Sequence, residues 1–196
     1  MYNAGGYHAA HDAWEDRWLG LERGTDDERL LHGLIQFTAA VHHARDRNWD
    51  GVAGLVESAG KYLAGLPDEY RGVNVAAVRR HLAALGQDPE RVERGQPPRL
   101  THEESPVTLA DLEFDAGAVA AAVLAAESER FDESVIERAT RYGREDVDAG
   151  RSASEFVTFV LDFARNAENR DVVYRRLAAH VERRTHRESD VAGLFD

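Results

Sequence analysis

The sequence contains no cysteine among its 196 residues. This absence excludes disulfide bonds, thiol nucleophiles, iron–sulfur clusters and zinc sites built on cysteine. Long apolar runs are also missing, since the longest, Ala116 to Ala126, has 11 residues and is mostly alanine. Such a run is too short to cross a bilayer, and the first residues lack the charged and then apolar pattern of an export signal. The sequence therefore predicts a soluble protein of the cytoplasm.

Basic residues are scarce, and lysine is almost absent. Asp and Glu number 36 against 24 Lys and Arg, the formal net charge is -12, and Lys61 is the single lysine. Phosphate backbones and anionic membranes are bound through basic surfaces, so this balance argues against a nucleic-acid or membrane partner. An acidic, lysine-poor surface is typical of proteins in molar salt, where the Debye length falls to about 3 Å. We expect a halophilic protein whose partner is a small molecule, a protein or a second copy of the chain.

Helical periodicity dominates the chain, and no stretch alternates apolar and polar residues as a half-buried strand does. The predicted fold class is all-α: an N-terminal antiparallel helical bundle over residues 1–94, followed by a C-terminal helical extension. Residues 95–107 hold three of the five prolines and have no helical period, which predicts a linker. Residues 108–196 carry most of the excess negative charge and are predicted to form a separate acidic helical domain.

Helix boundaries follow from apolar spacing and from side chains that commonly cap helices. In the bundle, helices are expected over about residues 6–21, 27–47, 48–63 and 74–86. Asn48 or Asp50 is predicted to cap the third of these helices, and Asn74 the fourth. In the second half the predicted caps are Asp115, Asp132 and Ser152, with Ser152 and Glu155 forming a capping box.

The candidate site lies in the first helix. At 100° per residue, its ionisable side chains share one face with two tryptophans, within an arc of about 160°. In order round the arc, the residues are Trp14, Trp18, His11, Glu15, His8, Leu19 and Asp12. A small bundle turns the apolar face of a helix inward, so we expect these polar groups in a mostly dry seam, where each needs a partner. His11 and Glu15, one turn apart, can bond to each other or hold one ion.

Further partners are expected from the second helix. The short connection favours an antiparallel pair, which brings His42 or His43 towards the start of the first helix and Gln36 towards its middle. Two histidines and a carboxylate with an open position suit a divalent metal ion. The predicted metal ligands are His11, Glu15 and His43. Around them we place Asp12, His8, Gln36, His42 and Trp18. A bound ion would activate water in a metal-dependent hydrolase, with Glu15 as a ligand or general base.

A second interpretation needs no ion. The same groups can form a closed hydrogen-bond network that fixes the register of the two helices, with the tryptophans packed around it. The protein would then be a non-enzymatic scaffold or a protein–protein interaction module. The zinc signature His-Glu-x-x-His is absent, because Asp12 and Glu15 stand where its Glu and second His would be. Phosphate-binding glycine loops and serine-nucleophile motifs are absent as well. The sequence leaves both interpretations open.

The remaining histidines and the arginines of the last helix are predicted to lie at the protein surface. His81, in an Arg-Arg-His run, is expected on a solvated helix face, and His102, His180 and His186 are expected at the surface. Intramolecular ion pairs and solvent are expected to satisfy Arg175, Arg176, Arg183, Arg184 and Arg187.

The N-terminal residues resemble the all-helical domain-of-unknown-function family 309. The pattern of that family is a Tyr-Phe-Glu-Ala-His-Glu-x-x-Glu-x-x-Trp helix, a Gly-Leu-Ile-Gln helix that ends in paired histidines, and then Asn-x-x-Gly-Ala. The matching residues here are Tyr7, Ala10, His11, Glu15 and Trp18, then Gly33, Leu34, Ile35, Gln36, His42 and His43, then Asn48, Gly51 and Ala53. His8, Ala9 and Asp12 depart from the pattern. The resemblance covers about residues 2–85. It implies a helical bundle and points to His11, Glu15, Gln36 and His43, without implying a reaction.

Overall fold

The structure, a computed structural model, describes residues 1–192, with side chains up to residue 190. It is all-α, which confirms the predicted fold class. The chain divides into two compact units, one formed by Met1–Thr108 and the other beginning at Leu109.

The first unit is built around its second helix. Its helices are α1 (Tyr7–Trp18), α2 (Asp26–Arg45), α3 (Trp49–Leu63), α4 (Val75–Gln87) and the short α5 (Arg91–Arg94). The first four begin and end within three residues of the predicted bounds. Helix α2 packs against both α1 and α3, and α3 packs against α4. The core between them contains Phe37, Val41, Leu63 and Val78, all fully buried.

Gly33 allows α2 and α3 to approach closely. A Cβ atom at this position would lie 2.5 Å from Cδ2 of Leu63, and the Leu63 side chain is itself fully buried. Any larger residue would therefore push against a side chain that has no free space to move into.

Residues 95–107, predicted as a linker, pack onto the first unit. Leu100 is buried in its core. The side-chain amide of Asn3 donates to the Leu100 carbonyl oxygen at 2.7 Å and accepts from the Leu100 N–H at 2.8 Å. The N–H and the carbonyl group of Leu100 are thus both paired without a helix.

Asn74 holds the same segment from α4. It occupies the predicted N-cap position, but its side chain makes no capping hydrogen bond. The amide instead donates to the Arg99 carbonyl oxygen at 3.0 Å and accepts from the Thr101 N–H at 3.1 Å. Two short antiparallel strands follow, β1 (Thr101–His102) and β2 (Ser105–Pro106).

The second unit is a smaller helical bundle centred on its third helix. Its helices are α6 (Phe114–Ala126), α7 (Glu133–Asp148), α8 (Glu155–Arg165) and α9 (Arg170–Ala192). Helix α8 packs against the other three. The fully buried residues at its centre include Tyr142, Ile136, Val160, Phe163 and Leu177. Within residues 1–192, no helix has both the length and the apolar character that crossing a bilayer requires.

The helix caps of the second unit agree only partly with prediction. Asp132 caps α7 as predicted, accepting from the Ser134 N–H at 2.9 Å. Helix α8 is capped by Ser154 instead of Ser152, because Ser154 directly precedes its first turn and accepts from the N–H three residues on. Asp115 lies inside the first turn of α6 and forms an ion pair with Arg144.

One carboxylate is buried in the second unit. Asp146 is 5% exposed and forms ion pairs with Arg151 and Arg184. Burial acts to raise the pKa of Asp146, but hydrogen bonds from Arg151 and Ser154 and the charges of both arginines hold it below its ordinary value. The Arg184 guanidinium also lies 4.1 Å from the ring centroid of Tyr142. For Arg184, the predicted intramolecular ion pairs are confirmed.

Candidate functional site

The site is formed where α1 and α2 run antiparallel. Near the end of α1, Trp18 donates to Glu28 near the start of α2. At the other end, the ring of His8 on α1 lies 6.1 Å from the ring of His42 on α2. Of the polar residues predicted as one cluster, Trp18 therefore lies at one end of this helix pair, and His8 and His42 lie at the other.

The first group, the Glu28 network, consists of Trp18, Glu28, His32 and Tyr62. The Glu28 carboxylate accepts from Nε1 of Trp18 at 2.8 Å and lies 3.3 Å from Nδ1 of His32. The His32 ring is stacked on Tyr62, with centroids 3.8 Å apart, and its centroid lies 4.5 Å from that of the Trp18 ring. Since an ionised carboxylate can only accept, Nδ1 of His32 carries the hydrogen. Glu28 is buried, and the other three side chains of the network are half-buried.

Glu28 is charged in this network although it is 8% exposed. The hydrogen bond from Trp18 lowers the pKa of Glu28 most, and burial opposes it. The hydrogen bonds from His32 and from the backbone N–H of Gly24 lower the pKa further, so the net shift is downward. The N–H of Glu28 is in turn bound by Thr25, which caps α2 at 3.2 Å. The start of α2 is therefore locked to the end of α1.

The second group, the histidine–carboxylate cluster, consists of His8, His11, Asp12, Glu15 and His42. Nδ1 of His11 lies 3.0 Å from Oδ1 of Asp12 and 4.0 Å from Oε2 of Glu15. Nδ1 of His8 lies 3.3 Å from the other Asp12 oxygen, Oδ2. Among the residues that the structure describes, His11, Asp12 and Glu15 form a group with metal-binding donors whose ligand atoms all lie within 4.8 Å of one another.

The cluster is half-exposed, which corrects the prediction of a dry seam. The side chain of His11 is 30% exposed and that of Glu15 is 48% exposed. The inward face of α1 is formed by Tyr7, Ala10 and Trp14, which pack into the core. The centre of this inward face lies at the Trp14 end of the predicted arc, so the ionisable side chains lie at the edge of the interface between α1 and α2. Solvent therefore reaches the cluster.

Gln36 and His43 lie outside the cluster. Gln36 is half-buried and forms no hydrogen bond with α1 in the described part of the chain. Nδ1 of His43 lies 2.7 Å from Nδ2 of Asn48, and Asn48 caps α3 by accepting from the Gly51 N–H. His43 thus supports the connection from α2 to α3, while His42 is the histidine that faces α1.

Three residues of the Glu28 network, namely Glu28, His32 and Tyr62, are not among the site residues predicted from the sequence. Glu28 stands three residues after Thr25, which is the spacing of a capping box, and four residues before His32, which puts both on one helix face. These two spacings were the available signal. Tyr62 comes from α3 and carries no comparable signal.

His81 also differs from its prediction as a solvated residue. Its ring meets that of Phe37 edge to face at 5.9 Å. Nε2 of His81 is shielded from solvent and has no hydrogen-bond partner among the described residues. Burial and, secondarily, the charge of Arg91 lower the pKa of His81, which favours the neutral ring.

The N-terminal part of the chain is similar to one family and one protein whose descriptions name no function. Residues 1–55 match a family described as Domain of unknown function (DUF309). An uncharacterised protein of Aquifex aeolicus (strain VF5) is 31% identical over 102 residues, a stretch that covers 52% of this chain and 29% of the relative. This chain therefore spans less than a third of that relative's length. The whole histidine–carboxylate cluster lies in the matched range, so the resemblance predicted from the sequence is confirmed for residues 1–55: this segment matches the DUF309 family.

Proposed function

We propose that the first unit binds a divalent metal ion through His11, Asp12 and Glu15. The observation that carries this proposal is the convergence of one imidazole nitrogen and two carboxylate oxygens within 4.8 Å. With metal–ligand bonds of about 2.1 Å, donor atoms on one tetrahedral ion lie about 3.4 Å apart. Small side-chain rotations bring the three atoms to this separation.

The backbone positions of these residues favour such a site. His11, Asp12 and Glu15 lie within one turn and a half of α1, so a single rigid helix carries all three side chains. Sites built on helices hold their geometry better than sites on loops. Folding thus places the ligands close together before any ion arrives, which reduces the entropy lost on binding.

The donor set predicts the chemistry. Imidazole and carboxylate ligands together suit Zn²⁺ and other first-row divalent ions, and three protein ligands leave a position open for water. An ion at this half-exposed place would lower the pKa of its bound water. Metal-dependent hydrolysis is the enzymatic form of the proposal, with Glu15 either as a ligand or as the general base beside the water.

The alternative function is a non-enzymatic scaffold or protein–protein interaction module. The Glu28 network favours it, because that network shows that polar groups between α1 and α2 can serve structure alone. His11 also has a partner without an ion, since its Nδ1 lies 3.0 Å from Asp12. In this alternative, His11→Ala lowers stability and no metal binds.

Calorimetric titration of the untagged, chelator-treated full chain with Zn²⁺ in molar KCl tests the proposal. We expect binding that His11→Ala weakens by about 100-fold or more, because a lost ligand costs at least as much as a lost outer partner. The matched control is His186→Ala, which removes a histidine that faces Asp190 at the same four-residue spacing on α9 at 3.6 Å. Binding should be unchanged in that variant.

A chain that binds less than about a tenth of an equivalent, and whose melting temperature does not respond to Zn²⁺ or chelator, overturns the metal proposal. Zn²⁺ binding that survives His11→Ala but is lost in His186→Ala overturns the assignment of the site.

We also propose that the protein works in a cytoplasm of high salt. A single lysine among 24 basic residues and a net charge of -12 support this. Screening of the acidic surface by salt should then raise the urea midpoint as KCl increases to the molar range. A urea midpoint that falls over the same range contradicts this proposal.

A further inference from the structure

Asp12 stands between two imidazoles. Its Oδ1 faces Nδ1 of His11 at 3.0 Å, and its Oδ2 faces Nδ1 of His8 at 3.3 Å. Each oxygen of one carboxylate therefore has its own nitrogen partner. A carboxylate arranged in this way can place one oxygen on each of two ions, which in two-metal sites are about 3.5–4 Å apart.

Helix α2 supplies further donors on the His8 side. The ring centroids of His8 and His42 are 6.1 Å apart. With Zn–N bonds of about 2.1 Å and tetrahedral angles, two imidazoles on one ion have centroids about 5 Å apart. The observed pair is thus about one ångström wider than a chelating pair. Nε2 of His42 also lies 3.4 Å from Oδ2 of Asp46, one turn further along α2.

We infer that the histidine–carboxylate cluster is a two-ion site in which the Asp12 carboxylate bridges the ions. One ion takes His11, Glu15 and Oδ1 of Asp12. The other takes His8, His42 and Oδ2 of Asp12, with Asp46 beside it. This inference rests on the proposed function, since the first ion is the one proposed above.

The charge of the surroundings suits two dications. Asp12 and Glu15 bring two negative charges to the ligand sets, and Asp46 places a third beside the second ion. Arg45, three residues beyond His42, is engaged elsewhere: its guanidinium lies 4.8 Å from the Tyr7 ring centroid and donates to Gln96 at 2.7 Å. The second ion would also join α1 to α2, because His8 and His42 come from different helices.

The ligand sets also predict which ions bind. Both sites include imidazole, which suits Zn²⁺, Co²⁺ and Ni²⁺ better than Mg²⁺ or Ca²⁺. The second site has two imidazoles and should discriminate more strongly than the first. A substrate recognised by such a pair would offer an oxygen to each ion, as phosphate esters and carboxylates do.

The experiment measures stoichiometry with the untagged full chain. Equilibrium dialysis against Zn²⁺ in molar KCl, followed by elemental analysis, should give two equivalents. His42→Ala should bind one equivalent and keep the affinity of the first site within about threefold, because no ligand of that site has changed. Asp12→Asn should weaken both equivalents by about tenfold or more. The matched control is the adjacent His43→Ala, which should still bind two.

The measured stoichiometry distinguishes failure of the second ion from failure of the proposed function. One equivalent in the unaltered chain overturns the second ion and leaves the proposed function standing. No binding overturns both. Two equivalents retained by His42→Ala, with the helical circular dichroism unchanged, overturn the assignment of the second ion. Should His42→Ala fail to fold, His8→Ala provides the same comparison from α1.

Discussion

Replacing Glu28 by Gln tests whether a buried charge locks α1 to α2. The carboxylate accepts from Trp18 at 2.8 Å and from His32 at 3.3 Å. In Glu28→Gln the bond to Trp18 becomes neutral, and the NH₂ group faces the N–H of His32. Hydrogen bonds to charged groups contribute about 1.5–3 kcal/mol and neutral ones about 1 kcal/mol, so we expect a loss of about 2–3 kcal/mol.

Urea unfolding, followed by tryptophan fluorescence, measures the lost free energy of unfolding of the first unit. The three tryptophans, Trp14, Trp18 and Trp49, all lie in the first unit, so their emission reports on its unfolding. The control is Glu57→Gln, which removes an exposed partner of Lys61 on α3. Exposed pairs of this kind contribute little to stability, so the control should match the unaltered chain.

The pH dependence gives an independent check with a defined sign. The pKa of Glu28 is lower in the folded chain than its ordinary value. Its contribution is therefore fully present above the ordinary glutamate pKa and is lost as pH falls through the lower folded value. The stability gap between the unaltered chain and Glu28→Gln should be constant at neutral pH and shrink in acid. A gap that is absent at pH 7, or unchanged down to pH 3, would refute the charged network.

Four further substitutions test core packing and a buried ion pair. Leu100→Ala should lower the stability of the first unit by about 2–4 kcal/mol in the same fluorescence assay, as a buried leucine does; a change below about 0.5 kcal/mol would mean that this segment is a linker. Gly33→Ala should destabilise the first unit by about 1–3 kcal/mol, because the added methyl group clashes with Leu63. Gly54→Ala is the control: the space around Gly54 is open, so this substitution should stabilise the first unit by about 0.5–1 kcal/mol. Equal effects of the two would contradict the close approach of α2 and α3. Asp146→Asn should lower the melting temperature of the second unit, followed by circular dichroism, because it removes the buried negative charge with which Arg151 and Arg184 form ion pairs. An unchanged melting temperature would show these pairs to be dispensable.

Local patterns predicted the helices because the relevant interactions are local. Asn48 and Asp132 cap helices through N–H groups two or three residues away, and such contacts are fixed by spacing in the sequence. The apolar spacing in α2 likewise identifies its core residues before any partner helix is known. Ser154 replaces Ser152 as a cap because spacing alone does not decide which of two nearby serines begins the helix.

Contacts between distant residues were not predictable in the same way. Asn3 and Asn74 bind residues 99–101, which lie more than twenty positions away in the sequence. Neither asparagine has a sequence context that distinguishes this role from helix capping. The proline-rich stretch accordingly lacked every helical signal and was predicted as a linker, although Leu100 packs in the core.

In the candidate site, too, local features were predictable from the sequence and contacts between helices were not. Helical spacing placed His11 and Glu15 on one face correctly, since their separation is set by α1 alone. The orientation of that face towards solvent depends on how Tyr7, Ala10 and Trp14 pack in the core. Helical periodicity alone does not determine this orientation. The choice of His42 over His43 depends on the same packing, because the two residues point in directions about 100° apart.

We expect the Glu28 network and the proposed two-ion site to be coupled through the register of α1 against α2, and this coupling can be measured. The first proposed ion uses ligands from α1 alone, whereas the second needs His8 and His42 to face each other across two helices. Glu28 fixes the opposite end of that helix pair through Trp18. Loosening this end in Glu28→Gln should therefore weaken the second Zn²⁺ equivalent several-fold and leave the first unchanged. Calorimetric titration of the folded variant at neutral pH separates the two steps. Equal weakening of both would show that α1 itself is disturbed, and no weakening of either would show that the register of α1 against α2 does not depend on Glu28.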